Sequence, residues 1–149
     1  EHGIPTLAQV VDLVRGRAGI MAELKSPHLY RRHDVVGMAL AHVDDDADVV
    51  LSFQRRPLEA ARRLRPRLRL LQHVGYGTSI RTAAGYANLV GLDNPRVTTR
   101  ALARARTLGL LTTVYTVNDE RRMRKLVEMG VDGIFSDRPD VLRRVVSRA

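Results

Sequence analysis

The chain has 149 residues, 25 Lys+Arg against 16 Asp+Glu, a formal net charge of +9, no cysteine and a hydrophobic fraction of 44%. That is about one domain with enough apolar residue for a core, and too much for disorder. No apolar run approaches the roughly 20 residues that cross a bilayer, and the lack of cysteine excludes disulfides and thiolate chemistry. Nothing in the chain fixes its compartment or oligomeric state.

The positive charge is almost all arginine; the lysines are Lys25 and Lys125. Clusters such as Arg62-Arg63-Leu64-Arg65 and Arg121-Arg122-Met123-Arg124 read as solvated helix faces, with attraction of a polyanion or an anionic lipid surface as the sharper alternative. The aromatics Tyr30, Phe53, Tyr76, Tyr86, Tyr115 and Phe135 do not alternate with basic residues. That speaks against a stacking platform, and no nucleic-acid partner is expected.

In chain order, Pro5 to Val14 places Leu7, Val10, Val11 and Val14 at i, i+3, i+4, i+7, which predicts a helix. A strand follows over Gly19–Leu24, inside the stretch "MAELKSP" at 21–27. In it Ile20, Ala22 and Leu24 point one way and Met21, Glu23 and Lys25 the other, with Pro27 ending the run. Asp44-Asp45-Asp46-Ala47-Asp48 lacks the glycine and distal glutamate of a calcium loop and reads as a solvated turn. Further strands are predicted at Val49–Phe53, Leu68–Val74, Ala87–Leu92, Leu111–Val117 and Val131–Ser136. Helices are predicted at Leu58–Leu64 after Pro57, at Thr98–Leu108, at Asp119–Met129 between an Asn-Asp cap and Gly130, and at Asp137–Arg148 with an Asp cap. Gly75–Gly85 reads as a loop running into a short helix; its Gly75-Tyr76-Gly77 lacks the third glycine of a dinucleotide fingerprint.

The sum is one helix, then strand and helix in alternation six times, an α/β chain with parallel strands. Six units suit either an open doubly wound sheet or six-eighths of a (β/α)₈ barrel. A Glu and a Lys on one face at the carboxyl end of a covered parallel strand suit a catalytic mouth. They equally suit a structural Glu–Lys contact or an exposed edge. Polar groups also close the later strands, in "VYTVND" (114–119) and "GIFSDRP" (133–139), where helix capping competes as the explanation.

The pieces "IPTLAQVVDLV" (4–14), "AELKSP" (22–27), "VVLSF" (49–53) and "VYTVNDERRMRKLVEMGVDGIFSDRPDVL" (114–142), in that order, resemble the glycerophosphodiester phosphodiesterase family. The resemblance implies a TIM barrel, of which residues 1–149 form a single C-terminal domain holding strands three to eight. It implies hydrolysis of a small glycerophosphodiester such as glycerophosphocholine to glycerol 3-phosphate and an alcohol, in lipid and glycerol metabolism, with calcium or magnesium as cofactor. Glu23 matches the family's metal-binding glutamate, and Lys25 the lysine that contacts phosphate. Phe53, Tyr115 and Asn118 fall in motifs that line the substrate mouth, with Tyr115 standing where many relatives have tryptophan.

The family's His-Arg strand, its E-x-D metal pair and its further His-Asp are absent. His2, His28, His33, His42 and His73 do not sit in matching contexts and read as surface or core residues. No catalytic residue is therefore identifiable in this chain, and the expected histidines would lie upstream, in a missing part of roughly 90 residues. Alone, the chain is expected to be inactive, with strands 20–25 and 131–136 as open edges. The alternatives are a degenerate barrel fragment acting as a binding or interaction module, and an unrelated basic α/β protein that binds nucleic acid.

Overall fold

Alternation of short β-branched runs with amphipathic stretches is realised as six strands and seven α-helices in the computed structural model, which describes residues 3–30, 32–75 and 77–147, with the backbone alone at His28. His2 and Tyr76 lie outside the described residues. The chain divides into two compact units, residues 1–72 and 73–149.

In the first unit, α1 (Leu7–Val14) starts from a reciprocal cap. The Thr6 hydroxyl accepts from the Gln9 amide at 3.3 Å, and the Gln9 side chain accepts from the Thr6 amide at 2.8 Å. Then come β1 (Met21–Glu23), a 3₁₀ turn (Pro27–Tyr30), α2 (Val35–Leu40), β2 (Val49–Ser52), α3 (Arg55–Leu64) and β3 (Arg69–His73). β1 pairs parallel with β2, Glu23 opposite Leu51, and β2 pairs parallel with β3, Ser52 opposite Gln72. Val50, Leu58, Ala61, Leu68, Leu70 and Leu71 are fully buried.

The second unit has α4 (Ile80–Ala83), β4 (Leu89–Asp93), a 3₁₀ turn (Asn94–Arg96), α5 (Thr99–Thr107), β5 (Leu111–Tyr115), α6 (Glu120–Glu128), β6 (Gly133–Ile134) and α7 (Pro139–Val146). β4 and β6 flank β5, both parallel to it. One core cluster joins Val114 and Val117 to Met123, Leu126, Val141 and Val145; another joins Val90 to Ala83, Ala105 and Leu110.

The element order agrees with the alternation read from the sequence, while individual elements differ from it, among them α3, which begins at Arg55 rather than Leu58, and β5, which ends at Tyr115 rather than Val117. Helix α2 and the 3₁₀ turn before it were not expected; Asp34 caps α2 by accepting from the Gly37 amide at 2.9 Å. β1 and β6 are shorter than the apolar runs that contain them. Helix α7 has Arg138, not Asp137, at its N-cap, because the Asp137 carboxylate accepts from Asn118 instead.

Strand starts are tied by carboxylates in the residue before the next strand. Asp48, 5% exposed, accepts from the Ile20 amide at 2.7 Å and the Asp44 amide at 2.9 Å. The Val49 amide donates back to the Ile20 carbonyl at 2.8 Å. Asp132 repeats this, accepting from the Thr112 amide at 2.7 Å and hydroxyl at 2.9 Å while its own amide donates to the Thr112 carbonyl at 2.9 Å. Asp48→Ala leaves two half-buried amides without their acceptor, and should lower unfolding free energy by about 2–4 kcal/mol. Urea denaturation checks this; a midpoint equal to wild type would refute it.

Candidate active-site residues at the strand ends

In the first unit, the backbone of Leu24 is held while its neighbours stay open. Leu24 is 4% exposed, its amide donates to the Leu51 carbonyl at 2.8 Å, and its carbonyl accepts from the Ser52 hydroxyl at 2.8 Å. Glu23 and Lys25, either side, are exposed, as period-two alternation requires. Ser26 then takes a left-handed conformation, φ 47°, and its carbonyl accepts from the Leu29 amide at 3.0 Å as Pro27 opens the 3₁₀ turn. The chain thus leaves the strand directly after Lys25. Among the described residues neither Glu23 nor Lys25 enters an ion pair. A structural Glu–Lys contact therefore does not account for the pair. Half-buried Phe53 follows β2, and its carbonyl and that of Ser52 each accept from the fully buried Gln72 amide group at 3.2 Å.

In the second unit, Tyr115 ends β5 half-buried, with the His73 ring edge-on to it at 4.3 Å and 77°. His73 also meets Phe135 at 5.7 Å. Its imidazole is 4% exposed, and burial pushes it down from 6.5 to about 4, so it is neutral near pH 7. Gly91 makes this possible: a Cβ there would lie 2.1 Å from His73 Nδ1. Asn118 is exposed but engaged. Its amide oxygen accepts from the Asp137 amide at 2.9 Å and the Ser136 hydroxyl at 3.1 Å, and its nitrogen donates to the Asp137 carboxylate at 2.8 Å. One N–H of its NH₂ group takes no part in these three bonds.

Each unit gathers its own sequence-predicted residues: Glu23 beside the Leu51–Phe53 strand end in the first, Tyr115 and Asn118 at the exit of β5 in the second. Of the surface and core alternatives open for His73, its burial selects the core; its place against Tyr115, and the parts of Gly91, Gln72 and Asp137, are not visible in the sequence. A glycine inside an apolar strand, as at Gly91, was the one visible signal of a close approach.

A divalent cation of the calcium or magnesium kind takes about six to eight oxygens. Among the described residues no group of three or more His, Asp or Glu side chains converges as a metal site. Glu23 offers one carboxylate, so the described residues do not by themselves make such a site.

Residues 1–141 match the profile of the glycerophosphoryl diester phosphodiesterase family. The chain is 29% identical over 160 residues to a glycerophosphodiester phosphodiesterase of Bacillus subtilis (strain 168), covering 95% of this chain and 54% of the relative. It is 26% identical over 150 residues to a glycerophosphodiester phosphodiesterase of Bacillus altitudinis, covering 92% and 60%. The chain thus spans a little over half the length of these relatives. A crystal structure of a glycerophosphodiester phosphodiesterase from Parabacteroides distasonis ATCC 8503 superposes with a TM-score of 0.82 at 22% identity, over 97% of this chain and 65% of that one, a likeness of fold.

Two outcomes follow from the His73 environment. Gly91→Ala should destabilise by about 1–3 kcal/mol, because a buried ring must move, and His73→Ala in the same chain should recover part of the loss; thermal melts of the single and double variants check this. The unfolded chain takes up a proton at His73 below pH 6.5 that the folded chain refuses until about pH 4. Stability should therefore fall by on the order of 2 kcal/mol as pH drops through that window, and the loss should level off below it. Urea unfolding from pH 7 to pH 4 should show a shallower slope in His73→Phe than in wild type.

Proposed function

The chain belongs to the glycerophosphoryl diester phosphodiesterase family, and on that premise we propose that it serves the hydrolysis of glycerophosphodiesters to glycerol 3-phosphate and an alcohol. Its six strands are read as strands three to eight of a (β/α)₈ barrel, the whole chain being the barrel's C-terminal part. In the reaction a water oxygen bonds to phosphorus, the bond from phosphorus to the alcohol oxygen breaks, and the departing oxygen takes a proton.

The observation that carries this reading is the exposed Glu23–Lys25 pair at the carboxyl end of β1, without an ion pair among the described residues. A carboxylate and an ammonium two residues apart, neither neutralising the other, are both available to a ligand. Lys25 is assigned to a phosphate oxygen, where a mobile point charge with three donors suits a tetrahedral anion. Glu23 is assigned to a divalent cation, calcium or magnesium, as one carboxylate ligand; among the described residues no group of three or more such side chains converges with it. Within the first unit Phe53 is assigned an apolar contact; within the second, Tyr115 is assigned another and Asn118 offers its remaining N–H. No histidine is assigned a proton transfer: His33 and His42 are exposed on the segment around α2, and His73 is buried against Tyr115.

The incomplete ligand set favours one second reading, a binding module without turnover. Release of glycerol 3-phosphate from glycerophosphocholine, with calcium or magnesium added, separates the two. In an active chain Glu23→Ala and Lys25→Ala should each lower turnover by about 10²-fold or more, and Glu23→Ala should also weaken metal binding. Wild-type rates in both variants would sink the assignment. Saturable binding without turnover, weakened by Lys25→Ala, would establish the module.

A further inference from the structure

We propose that His73 is a positioning residue for Tyr115, holding the phenol ring where it meets the substrate; the inference rests on the reading of Tyr115 given above. Tyr115 is the last residue of β5 and only half covered, so its backbone alone does not fix its ring. The backbone around it is fixed: the Phe135 amide donates to the Val114 carbonyl at 2.8 Å, and the Val117 amide to the Phe135 carbonyl at 2.9 Å. The imidazole bears on the ring at 4.3 Å and near right angles, an arrangement aromatic pairs favour.

His73 is in turn wedged. Within the second unit the Val74 amide donates to the Gly91 carbonyl at 2.9 Å, which holds the residue after His73 against Gly91. The imidazole then lies over Gly91, where an added Cβ would stand 2.1 Å from Nδ1 and 2.7 Å from Cε1. Tyr115 and Phe135 also meet the imidazole, at 4.3 Å and 5.7 Å between ring centroids. With 4% of its surface exposed, the ring has no free side toward which to swing. Gly91 and His73 are a matched pair, the missing side chain of one making room for the ring of the other. Neither His73 nor Gly91 has been given any contact with substrate, so their effect passes through Tyr115.

The test uses the full 149-residue chain and glycerophosphocholine as the probe. Wild type, His73→Asn, His73→Phe and Gly91→Ala are compared by NMR of tyrosine ring protons and by titration with the probe. The Tyr115 ring signals, displaced by the neighbouring imidazole, should move toward unstructured values in His73→Asn and return to displaced values in His73→Phe. Probe affinity should fall about tenfold in His73→Asn and recover in His73→Phe. Gly91→Ala, whose Cβ would collide with the imidazole, should shift the same signals without altering residue 73 itself. Unchanged Tyr115 signals and wild-type affinity in a folded His73→Asn would overturn the proposal and leave His73 a core residue only. A Tyr115→Ala variant that binds like wild type would mean the reading of Tyr115 has failed. Weakened binding in Tyr115→Ala with none in His73→Asn would mean the positioning role has failed.

Discussion

Register, set by carboxylates at the starts of β1 and β5, is the constraint on which the placement of the residues at the ends of these two strands depends. Asp48 and Asp132 each accept from a residue at or just before the start of one strand while standing directly before the next strand themselves. A main-chain bond returns in the opposite sense from Val49 and from Asp132. The two-way contact allows one alignment. A slip of one residue would turn every side chain to the opposite face. In β1 that slip would bury Glu23 and expose Leu24, exchanging a solvated carboxylate for a desolvated one. The chemistry offered at the far end of β1 is thus decided at its near end.

From this constraint the exits of the strands follow. Ser52, one residue past the partner of Glu23, closes the Leu24 carbonyl with its hydroxyl, so the last turn of backbone before Lys25 has its hydrogen bonds made internally. At the exit of β5, Asn118 does comparable work with three bonds to Ser136 and Asp137. Both are short polar side chains at strand ends that a reader of the sequence would assign either to capping or to a ligand. In the structure most of their hydrogen-bonding capacity goes to the loop. The part left over is the outward-facing charge of Glu23 and Lys25, and one N–H of Asn118.

Local pattern therefore carried much of the reading and tertiary contact the rest. The alternation of strands and helices was legible because period-two and period-3.6 apolar spacing are local properties, and so was the cap at Asp119. Helix α2 was not, since "VVGMAL" is short, rich in β-branched residues and interrupted by Gly37; the Asp34 cap was its one local signal. Asp137 misled because an Asp before a Pro reads as an N-cap, whereas a partner 19 residues upstream claims its carboxylate. Glu23 and Lys25 were legible because alternation alone puts them on the face opposite Leu24. His73 was not: a histidine at the end of an apolar run looks the same whether it faces water or a tyrosine 42 residues later, and only assembly of β4 and β5 beside it decides.

The arginine excess also takes a different meaning in three dimensions. Solvated helix faces account for many of these residues, but several guanidinium groups close loops and helix ends. Arg65 reaches the Leu40 carbonyl at 2.9 Å and Asp45 at 2.7 Å, satisfying the end of α2. Arg106 donates to the Met129 and Gly130 carbonyls just past α6, where cations are favoured by the helix dipole. Arg122 holds Asn94 by both its side chain and its carbonyl, at 2.7 and 3.1 Å. A planar fork that bridges two acceptors suits such work, and an ammonium does not. In a chain that uses arginine so widely to fasten itself, a lysine is the exception, and Lys25 stands beside the one carboxylate assigned to a ligand. Its compact, mobile charge is poorly suited to joining two parts of a fold and well suited to an anion that arrives and leaves.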